Sequence, residues 1–529
     1  MTGPSKEGAL RPWRDHLPDG SGLTSEGLVS SGTLLRAWSA RWQSAPDAPL
    51  WREPGRSASR PGGPASGSDG EIPVGRRWWT AGEFDEATRR VAGRLRAAGL
   101  APGDRMVWST AASVAALVAN VGALRAGLVV VPLSTAYSER ELAHIVTDVR
   151  PAAAVVERAE QAEWVRRASP GAVVTVGPEV DLPEGDVGPL DAARPDDAAL
   201  ILYTSGTTGA PKGAVLRHSH LLAGTESVRV AWRWGPEDRL VHCLPLFHAH
   251  GLCVGVYGTL LAGASAVLLP GFDPAGVAAE ALEEKASLFF GVPTMYHRLV
   301  RSGYASDLRR LRLCVSGSAP LSSDLHAAVS AAISSPVLER YGMTETLMLS
   351  SNPYDGDRRA GTVGFPLPGV AIMLGAGDEI LVRGRNVFDG YWNRPAADAE
   401  AFVPSQDGGS PWFRTADQGR DDDGYLVING RSKELIISGG FNVYPTEVED
   451  VLATHPRVAE VAVTGTPSDE WGEVVTAWIV ADGFPPSVDD LAQFTSATLA
   501  PYKRPRLVRI VEDLPRNALG KVMRNQLRQ

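Results

Sequence analysis

The sequence has no apolar segment long enough to cross a membrane as a helix, because no run approaches the roughly 20 apolar residues that a bilayer requires. Its first residues, MTGPSKEGALRPWRDH, lack the apolar core of a signal peptide. The sequence has only three cysteines, Cys243, Cys253 and Cys314, and their apolar surroundings and spacing do not fit a metal site. We therefore expect buried free thiols, a cytoplasmic location and no membrane partner.

An excess of basic residues is also missing. The formal net charge is -9 at pH 7, which argues against nucleic acid as the main partner. Hydrophobic residues make up 44% and charged residues 21% of the chain, as in ordinary globular proteins. The 529 residues exceed what one compact core holds, so we expect more than one domain.

The order of local patterns predicts an α/β protein. A Gly-, Pro- and Ser-rich stretch at 53–75 indicates a mobile loop, so segment 1–75 belongs to the large domain or precedes it. Short apolar strands then alternate with helices, a pattern typical of parallel sheets covered by helices. Short strands and tight turns follow from about Gly377, which indicates a β-rich subdomain. We expect a large N-terminal domain at 76–431 and a small α+β C-terminal domain at 432–529.

The strongest local motif is Tyr203-Thr-Ser-Gly-Thr-Thr-Gly-Ala-Pro-Lys-Gly, which follows an apolar strand. A loop of hydroxyls and glycines can turn several donors toward phosphate oxygens, and Lys212 adds a positive charge. The spacing is not that of a Walker loop. The motif predicts a phosphate site made by Thr204, Ser205, Gly206, Thr207, Thr208, Gly209 and Lys212; the alternative is a plain surface turn.

Two further motifs favour a nucleotide. In Arg340-Tyr-Gly-Met-Thr-Glu-Thr, Tyr341 offers a flat face for a purine, Thr344 a hydroxyl for phosphate, and Glu345 a carboxylate for Mg²⁺. In Trp-Phe-Arg-Thr-Ala-Asp417, the carboxylate suits the two ribose hydroxyls, and Arg431 follows downstream. Each motif alone fits a structural turn about equally well.

Two motifs lie in the C-terminal part. Lys433-Glu-Leu-Ile-Ile-Ser-Gly-Gly-Phe contains Gly439 and Gly440, which permit close approach of a ligand to the backbone; the alternative is a Gly-rich hairpin. Leu514-Pro-Arg-Asn-Ala-Leu-Gly-Lys521 places a lysine on a tight turn near the end of the chain. Most lysines near a C-terminus are merely solvated, so this motif indicates a functional role only in combination with the other four motifs.

Taken together in this order, the five motifs resemble the adenylate-forming superfamily of acyl-CoA synthetases, luciferases and peptide-synthetase adenylation domains. The resemblance covers the chain from about Arg76 to its end. It implies that ATP, Mg²⁺ and coenzyme A are used and that the small C-terminal domain rotates between two half-reactions.

The resemblance also assigns roles to residues. It implies catalytic roles for Lys521, Thr344, Glu345 and His248, a hinge at Lys433, and Mg²⁺ at Glu345 and Thr204. It implies coenzyme A contacts from Ser438, Gly439, Gly440 and Phe441. Besides the phosphate loop, it places at the nucleotide Ser318, Ala319, Pro320, Glu339, Arg340, Tyr341, Gly342, Met343, Asp417 and Arg431.

Within that superfamily the segments around His248, Arg298, Ser318 and Arg340 are similar to malonyl-CoA synthetases. The similarity implies that Arg298, Ser318 and Arg340 bind the distal carboxylate of malonate, beside His248. Since a carboxylate in a buried pocket needs charged partners, we expect both arginines to be buried cations. Ala249 and Met348 match positions near the α-carbon, and the small Ala249 suits a substituted malonate.

Three alternatives stay open at this point. The chain is a synthetase for a short or medium monocarboxylate, or it loads a separate carrier protein, or it is a catalytically silent nucleotide sensor. Thr-Ala-Asp at 415–417 departs from the commoner Thr-Gly-Asp, and the 53–75 insertion is unusual, but neither removes a group that the chemistry needs. We expect a monomer or homodimer.

Overall fold

The computed structural model describes residues 10–54, 77–204, 211–431, 434–438, 441–468, 471–517 and 520–527. The predicted loop at 53–75 lies outside these residues except for Glu53 and Pro54. Within the described part, no helix is long and apolar enough to span a membrane. The three cysteines are free and buried, as the sequence predicted.

The α-helices, in chain order, are α1 Leu34–Ser44, α2 Ala81–Ala97, α3 Val114–Arg125, α4 Glu139–Val149, α5 Ala159–Ala168, α6 His218–Ala231, α7 Tyr257–Ala262, α8 Pro274–Glu283, α9 Pro293–Arg301, α10 Ser323–Ile333, α11 Pro395–Ala401, α12 Pro445–Leu452 and α13 Val488–Phe494. Local sequence fixes several helix starts. The side chain of Thr80 accepts from the backbone N–H of Glu83, and the side chain of Glu83 accepts from the backbone N–H of Thr80, which forms a capping box at the start of α2. Ser113 caps α3, because its side-chain oxygen accepts from the backbone N–H of Ala116.

The β-strands, in chain order, are β1 Pro49–Arg52, β2 Trp79–Thr80, β3 Arg105–Ser109, β4 Val129–Pro132, β5 Ala153–Val156, β6 Val173–Val176, β7 Ala198–Thr204, β8 Lys212–Arg217, β9 Arg239–His242, β10 Ser265–Leu268, β11 Leu288–Gly291, β12 Leu313–Ser316, β13 Leu338–Met343, β14 Leu347–Ser351, β15 Phe365–Pro366, β16 Val370–Leu374, β17 Glu379–Gly384, β18 Phe402–Val403, β19 Trp412–Asp422, β20 Tyr425–Arg431, β21 Ile436–Ser438, β22 Phe441–Val443, β23 Val458–Ser468, β24 Gly472–Ala481 and β25 Leu507–Ile510.

Two sheets are parallel through most of their width. One has the order β6-β5-β3-β4-β7-β8, with only β8 antiparallel to its neighbour. The other has the order β15-β14-β13-β12-β11-β9-β10-β1-β2, with antiparallel pairs at both edges. One hydrophobic core contains strand residues of both sheets, and α3 has buried residues on all sides. The sequence shows no polar face for α3, because a helix enclosed by core has none to expose.

Two antiparallel units complete the fold. Strands β16-β17-β19-β18, with β20 beside β19, form the β-rich subdomain predicted after Gly377. Strands β22-β21-β24-β23, with β25 parallel to β24, form a C-terminal sheet that has its own core with α12 and α13. The α/β class with a β-rich unit and an α+β C-terminal part is confirmed. The numerical domain boundaries stay a prediction.

Candidate active site

The strand that precedes the predicted phosphate loop ends at the site. Thr204 closes β7 and lies opposite Lys212, the first residue of β8. Ser205, Gly206, Thr207, Thr208 and Gly209 lie outside the described residues. The hydroxyl of Tyr203 donates to Oδ2 of Asp148 at 2.6 Å, which fixes the end of β7 against α4.

A tyrosine that we did not predict connects two predicted residues. The Nζ atom of Lys212 lies 5.1 Å from the ring centre of Tyr391, in the geometry of a cation–π contact. The hydroxyl of Tyr391 donates to Oε1 of Glu345 at 2.9 Å. Tyr391 is close because its backbone pairs with Ala214 on β8. Tyr391 therefore contacts both predicted residues, Lys212 at its ring face and Glu345 at its hydroxyl.

Glu345 is the carboxylate that we assigned to Mg²⁺. It is buried, and burial raises its pKa, whereas the hydrogen bond from Tyr391 lowers it. Within the described residues, no group of three or more His, Cys, Asp or Glu side chains is arranged to hold a metal. One carboxylate beside a phosphate site is nevertheless what Mg²⁺ uses when phosphates supply most of its ligands.

The predicted purine and ribose residues meet in one cluster. Tyr341 donates its hydroxyl proton to Oδ2 of Asp417 at 2.5 Å, and Arg431 donates to Oδ1 of the same carboxylate at 3.1 Å. Asp417 is 5% exposed, and it pairs with Arg431 across β19 and β20. Burial and the Asp417 charge raise the pKa of Tyr341 far above its ordinary value, so the hydroxyl stays a donor.

Arg340 lies beside this cluster and has no carboxylate partner. Arg340 is 3% exposed, no ion pair joins it to a described acidic residue, and its Nε atom has no hydrogen-bond partner in the described part of the chain. Nη2 donates to Oγ of Ser318 at 3.3 Å, and the same Oγ lies 3.4 Å from Nδ1 of His250. Burial lowers the pKa of Arg340 to about 9.

The loop after β12 makes room for this guanidinium. A Cβ atom on Gly317 would lie 2.5 Å from Cζ and Nε of Arg340, so only glycine fits. Ser318 follows with φ of +72°, a left-handed conformation that costs energy for a residue with a side chain. Ala319 and Pro320 follow Ser318 at the exposed rim of the loop.

Three histidines line the same region: His242 and His250 are buried, and His248 is half-buried. His250 begins a π-helical turn, His250–Val256, a distortion that often marks functional sites. Burial lowers the pKa of His248 and His242 to about 4, and it lowers the pKa of His250 further, aided by Arg340. The neutral rings leave Nε2 of each without a partner in the described part of the chain.

The expectation that Arg298 is a buried cation was wrong. Arg298 is exposed on α9, where Tyr296 and Leu299 form the buried face, and its Cζ atom lies 4.9 Å from the ring centre of Phe272. It follows His297 on the outward side of an amphipathic helix, so helix periodicity places it in solvent. Of the two expected cations, Arg340 alone is buried.

The remaining predicted residues shape the strands around the pocket. Glu339 is buried on β13, its Oε1 accepts from the backbone of Gly361, and burial raises its pKa to about 8.

In the β13–β14 hairpin, Gly342 and Met343 lie opposite Met348 and Leu347. A Cβ on Gly342 would lie 2.0 Å from a backbone oxygen of Leu347. Ala249 and Met348 pack at the same core, while Thr344 is half-buried in the hairpin turn.

The C-terminal lysine reaches this site. Burial lowers the pKa of Lys521, the charge of Arg431 lowers it further, and the charges of Glu434 and Asp417 raise it. A Cβ on Gly520, which has φ of +75°, would lie 3.3 Å from Oγ1 of Thr294 at the start of α9. The turn therefore contacts the large N-terminal part of the molecule.

The structure describes only some of the residues that we predicted to contact coenzyme A. Ser438 is fully buried in β21, and its hydroxyl has no partner among the described residues. Phe441 is 55% exposed and stacks on Tyr502 with 4.5 Å between ring centres. Lys433, Gly439 and Gly440 lie outside the described residues.

Sequence reasoning missed two residues at the site. Tyr391 lies in the segment Gly-Tyr-Trp-Asn-Arg-Pro, and an aromatic residue in such a segment does not by itself indicate a binding role. His250 lies two residues after the predicted His248, so the paired histidines of His-Ala-His were the available signal.

Comparison with known proteins supports the motif analysis. Residues 58–392 match the model of the AMP-binding enzyme family, and residues 447–521 match that of the AMP-binding enzyme C-terminal domain. A malonate–CoA ligase of Arabidopsis thaliana is 36% identical, covering 77% of this chain and 75% of its own length. A feruloyl-CoA synthase of an Amycolatopsis species is also 36% identical, covering 85% and 93%. The crystal structure of ATP-bound MatB from Rhodopseudomonas palustris is 38% identical, covers 94% of this chain and 98% of that one, and has a TM-score of 0.82.

Proposed function

The chain belongs to the AMP-binding enzyme family, and from this premise we propose that it is an ATP-dependent ligase that joins malonate, or a substituted malonate, to coenzyme A. The two relatives compared above are both named for forming CoA thioesters. One of them acts on a dicarboxylate and the other on an aromatic monocarboxylate, so the acid must be argued from the pocket.

The main support for malonate as the substrate is the guanidinium of Arg340, which has no described acidic partner. A buried cation without an anion is costly, because burial removes water and the hydrogen bond to Ser318 supplies no counter-charge. The lowered pKa of Arg340 expresses that cost. A carboxylate entering the pocket can accept from the free Nε and from Nη2, while Ser318 and a histidine ring supply further polar contacts. An acid with one carboxylate, which must react at phosphorus, leaves this guanidinium unpaired.

The nucleotide is assigned to the two clusters around Glu345 and Asp417. Tyr341 offers a purine face, and Asp417, held by Tyr341 and Arg431, accepts from ribose hydroxyls. Lys212 attracts the phosphates. The carboxylate of Glu345, with the hydroxyl of Thr204, suits Mg²⁺, which offsets phosphate charge when bound.

The proposed reaction has two balanced steps. An oxygen of the substrate carboxylate attacks the α-phosphorus of ATP, and pyrophosphate leaves, which forms the acyl-adenylate. The thiol of coenzyme A then attacks the acyl carbon, loses its proton to solvent, and AMP leaves. Lys521, brought beside Asp417 and Arg431, offsets negative charge during the first step. Ser438, Gly439, Gly440 and Phe441 are proposed to contact coenzyme A in the second step, with Lys433 as the hinge between the two.

The test is a panel of acids assayed for AMP and acyl-CoA with ATP, Mg²⁺ and coenzyme A. Malonate and methylmalonate are expected to react far better than acetate, octanoate or ferulate, and Arg340→Met is expected to remove that preference. A preference for ferulate or another monocarboxylate would overturn the malonate assignment and leave the ligase. AMP without acyl-CoA would indicate a different acceptor, such as a carrier protein. Location in the cytoplasm and the oligomeric state stay predictions.

A further inference from the structure

The turn that carries Lys521 is tightly built. The backbone N–H of Asn517 donates to the carbonyl of Lys521 at 2.9 Å, and the N–H of Lys521 donates to Oδ1 of Asn517 at 3.0 Å. Arg516 and Val522 pair on either side of the turn. The turn is therefore stiff in itself, and the position of Lys521 depends on what holds the turn as a whole.

An arginine three residues beyond Lys521 holds the turn from its C-terminal side. Arg524 donates through Nη2 to Oε2 of Glu449 at 2.6 Å and through Nε to Oε1 at 3.1 Å, a two-point contact. Its Nη1 donates to Oε2 of Glu434 at 2.9 Å. The three side chains are 15 to 19% exposed, so solvent screens these pairs only in part.

In this structure a backbone hydrogen bond ties Glu434 to the proposed nucleotide cluster. Its backbone N–H donates at 2.9 Å to the carbonyl of Arg431, whose side chain pairs with Asp417. Its carboxylate acts electrostatically on Arg431 and on Lys521 as well as on Arg524. The Glu434 carboxylate therefore favours the charged form of three cations, and one of them is the proposed catalytic lysine.

We infer that Glu434 is a positioning residue for Lys521, because its ion pair with Arg524 holds the Lys521 turn against the Asp417–Arg431 pair. Its negative charge also offsets the repulsion between Lys521 and the neighbouring arginines. The inference rests on the proposed role of Lys521 in adenylation. Because Lys521 serves only the first half-reaction in that proposal, Glu434 is expected to matter for adenylation and not for thioester formation.

The charges around Lys521 predict how the pH dependence of the adenylation rate changes when Glu434 is replaced. Burial, Arg431 and Arg524 lower the pKa of Lys521, whereas Glu434 and Asp417 raise it. Removing the charge of Glu434 lowers that pKa further, so the ammonium form is lost at a lower pH. The alkaline limb of the adenylation profile is then expected to move to lower pH, which a purely structural residue would not cause.

The experiment compares Glu434→Gln with Glu447→Gln in the full-length protein. Glu447 lies on the same part of the molecule in α12 and pairs with Lys503 at 2.6 Å, so its substitution breaks an ion pair away from Lys521. Adenylation is measured as malonate-dependent exchange of pyrophosphate into ATP, and acyl transfer as thioester formation from supplied malonyl-adenylate. Lys521→Ala is included as the reference for loss of adenylation.

Glu434→Gln is expected to slow adenylation about tenfold or more, since small misplacements of a catalytic group cost up to about 10²-fold. Acyl transfer should stay within about twofold, and Glu447→Gln should change neither rate, as for surface ion pairs generally. Arg524→Lys, which keeps the charge but loses the two-point contact, should slow adenylation without the shift of the alkaline limb.

Normal adenylation with an unmoved alkaline limb in Glu434→Gln, beside an inactive Lys521→Ala, overturns the inference and leaves the proposed function intact. Equal loss of both half-reactions in Glu434→Gln assigns it to folding and also overturns the inference. Full adenylation by Lys521→Ala overturns the proposed role of that lysine and the inference with it.

Discussion

The hydroxyl of Tyr341 donates a 2.5 Å hydrogen bond to Oδ2 of Asp417, 76 residues further along the chain. The bond links the β13–β14 hairpin of a mainly parallel sheet to the antiparallel β19–β20 pair. It orients the carboxylate that we assign to the ribose and the ring that we assign to the purine. The proposed nucleotide site therefore lies where two sheets meet.

Removing that hydroxyl tests the site. Tyr341→Phe keeps the ring and deletes the bond, so Asp417 is held by Arg431 alone. We expect the KM for ATP to rise about tenfold, the effect of losing about 1–2 kcal/mol from one charge-assisted hydrogen bond. Steady-state kinetics at saturating acid and coenzyme A measure it. An unchanged KM for ATP would remove Tyr341 and Asp417 from the proposed nucleotide site.

Filling the space beside Arg340 tests the acid pocket. Gly317→Ala puts a methyl group 2.5 Å from the guanidinium and must displace it. We expect kcat/KM for malonate to fall by about 10²-fold, with acetate use little changed, because one charged contact is lost. Gly235→Ala is the matched control, since nothing lies within 4 Å of its added Cβ. Equal losses for both acids in Gly317→Ala would contradict a role in binding the second carboxylate.

Tyr391→Phe tests the link between Lys212 and Glu345. The ring under Lys212 is kept, but the hydrogen bond that lowers the pKa of Glu345 is lost. The carboxylate is then protonated at a higher pH, so we expect a several-fold higher Mg²⁺ requirement, most marked at low pH. Titration of pyrophosphate exchange with Mg²⁺ at two pH values measures this. Tyr304→Phe, at an exposed tyrosine, should behave as the unaltered protein does.

Buried neutral histidines predict loss of stability in mild acid. Burial lowers the pKa from 6.5 to about 4 for His16, His218, His242 and His248. Since the unfolded chain binds these protons first, their contribution is complete above pH 6.5 and is lost as pH falls toward about 4. Each such histidine contributes a slope of about 1.4 kcal/mol per pH unit within that window.

Thermal unfolding between neutral pH and pH 4 measures that slope. His242→Asn should reduce the decline in Tm on acidification, whatever it does to Tm at neutral pH. His144→Gln, at an exposed histidine, should leave the decline as it is. An equally steep decline in His242→Asn would show that His242 is not among the groups responsible.

Local sequence determined the elements and the family. The strand Ala153–Val156 and the helix starts at Thr80 and Ser113 follow from apolar runs and capping residues within a few positions. Such patterns act over one helical turn or one strand, so no tertiary information is needed to find them. The five motifs likewise identified the family, because each keeps its chemistry within about ten residues.

Only the tertiary structure decided which of these residues meet and which are buried. Nothing in the local sequence distinguishes Arg298 from Arg340, yet Arg298 lies on the solvent face of α9 and Arg340 is buried without a described acidic partner. Tyr391 joins Lys212 and Glu345 because its backbone pairs with β8, which lies far away in the sequence. Glu434 likewise pairs with Arg524, which lies 90 residues further along the chain. Burial and unpaired charge depend on what packs from distant segments, and a motif a few residues long does not contain that information.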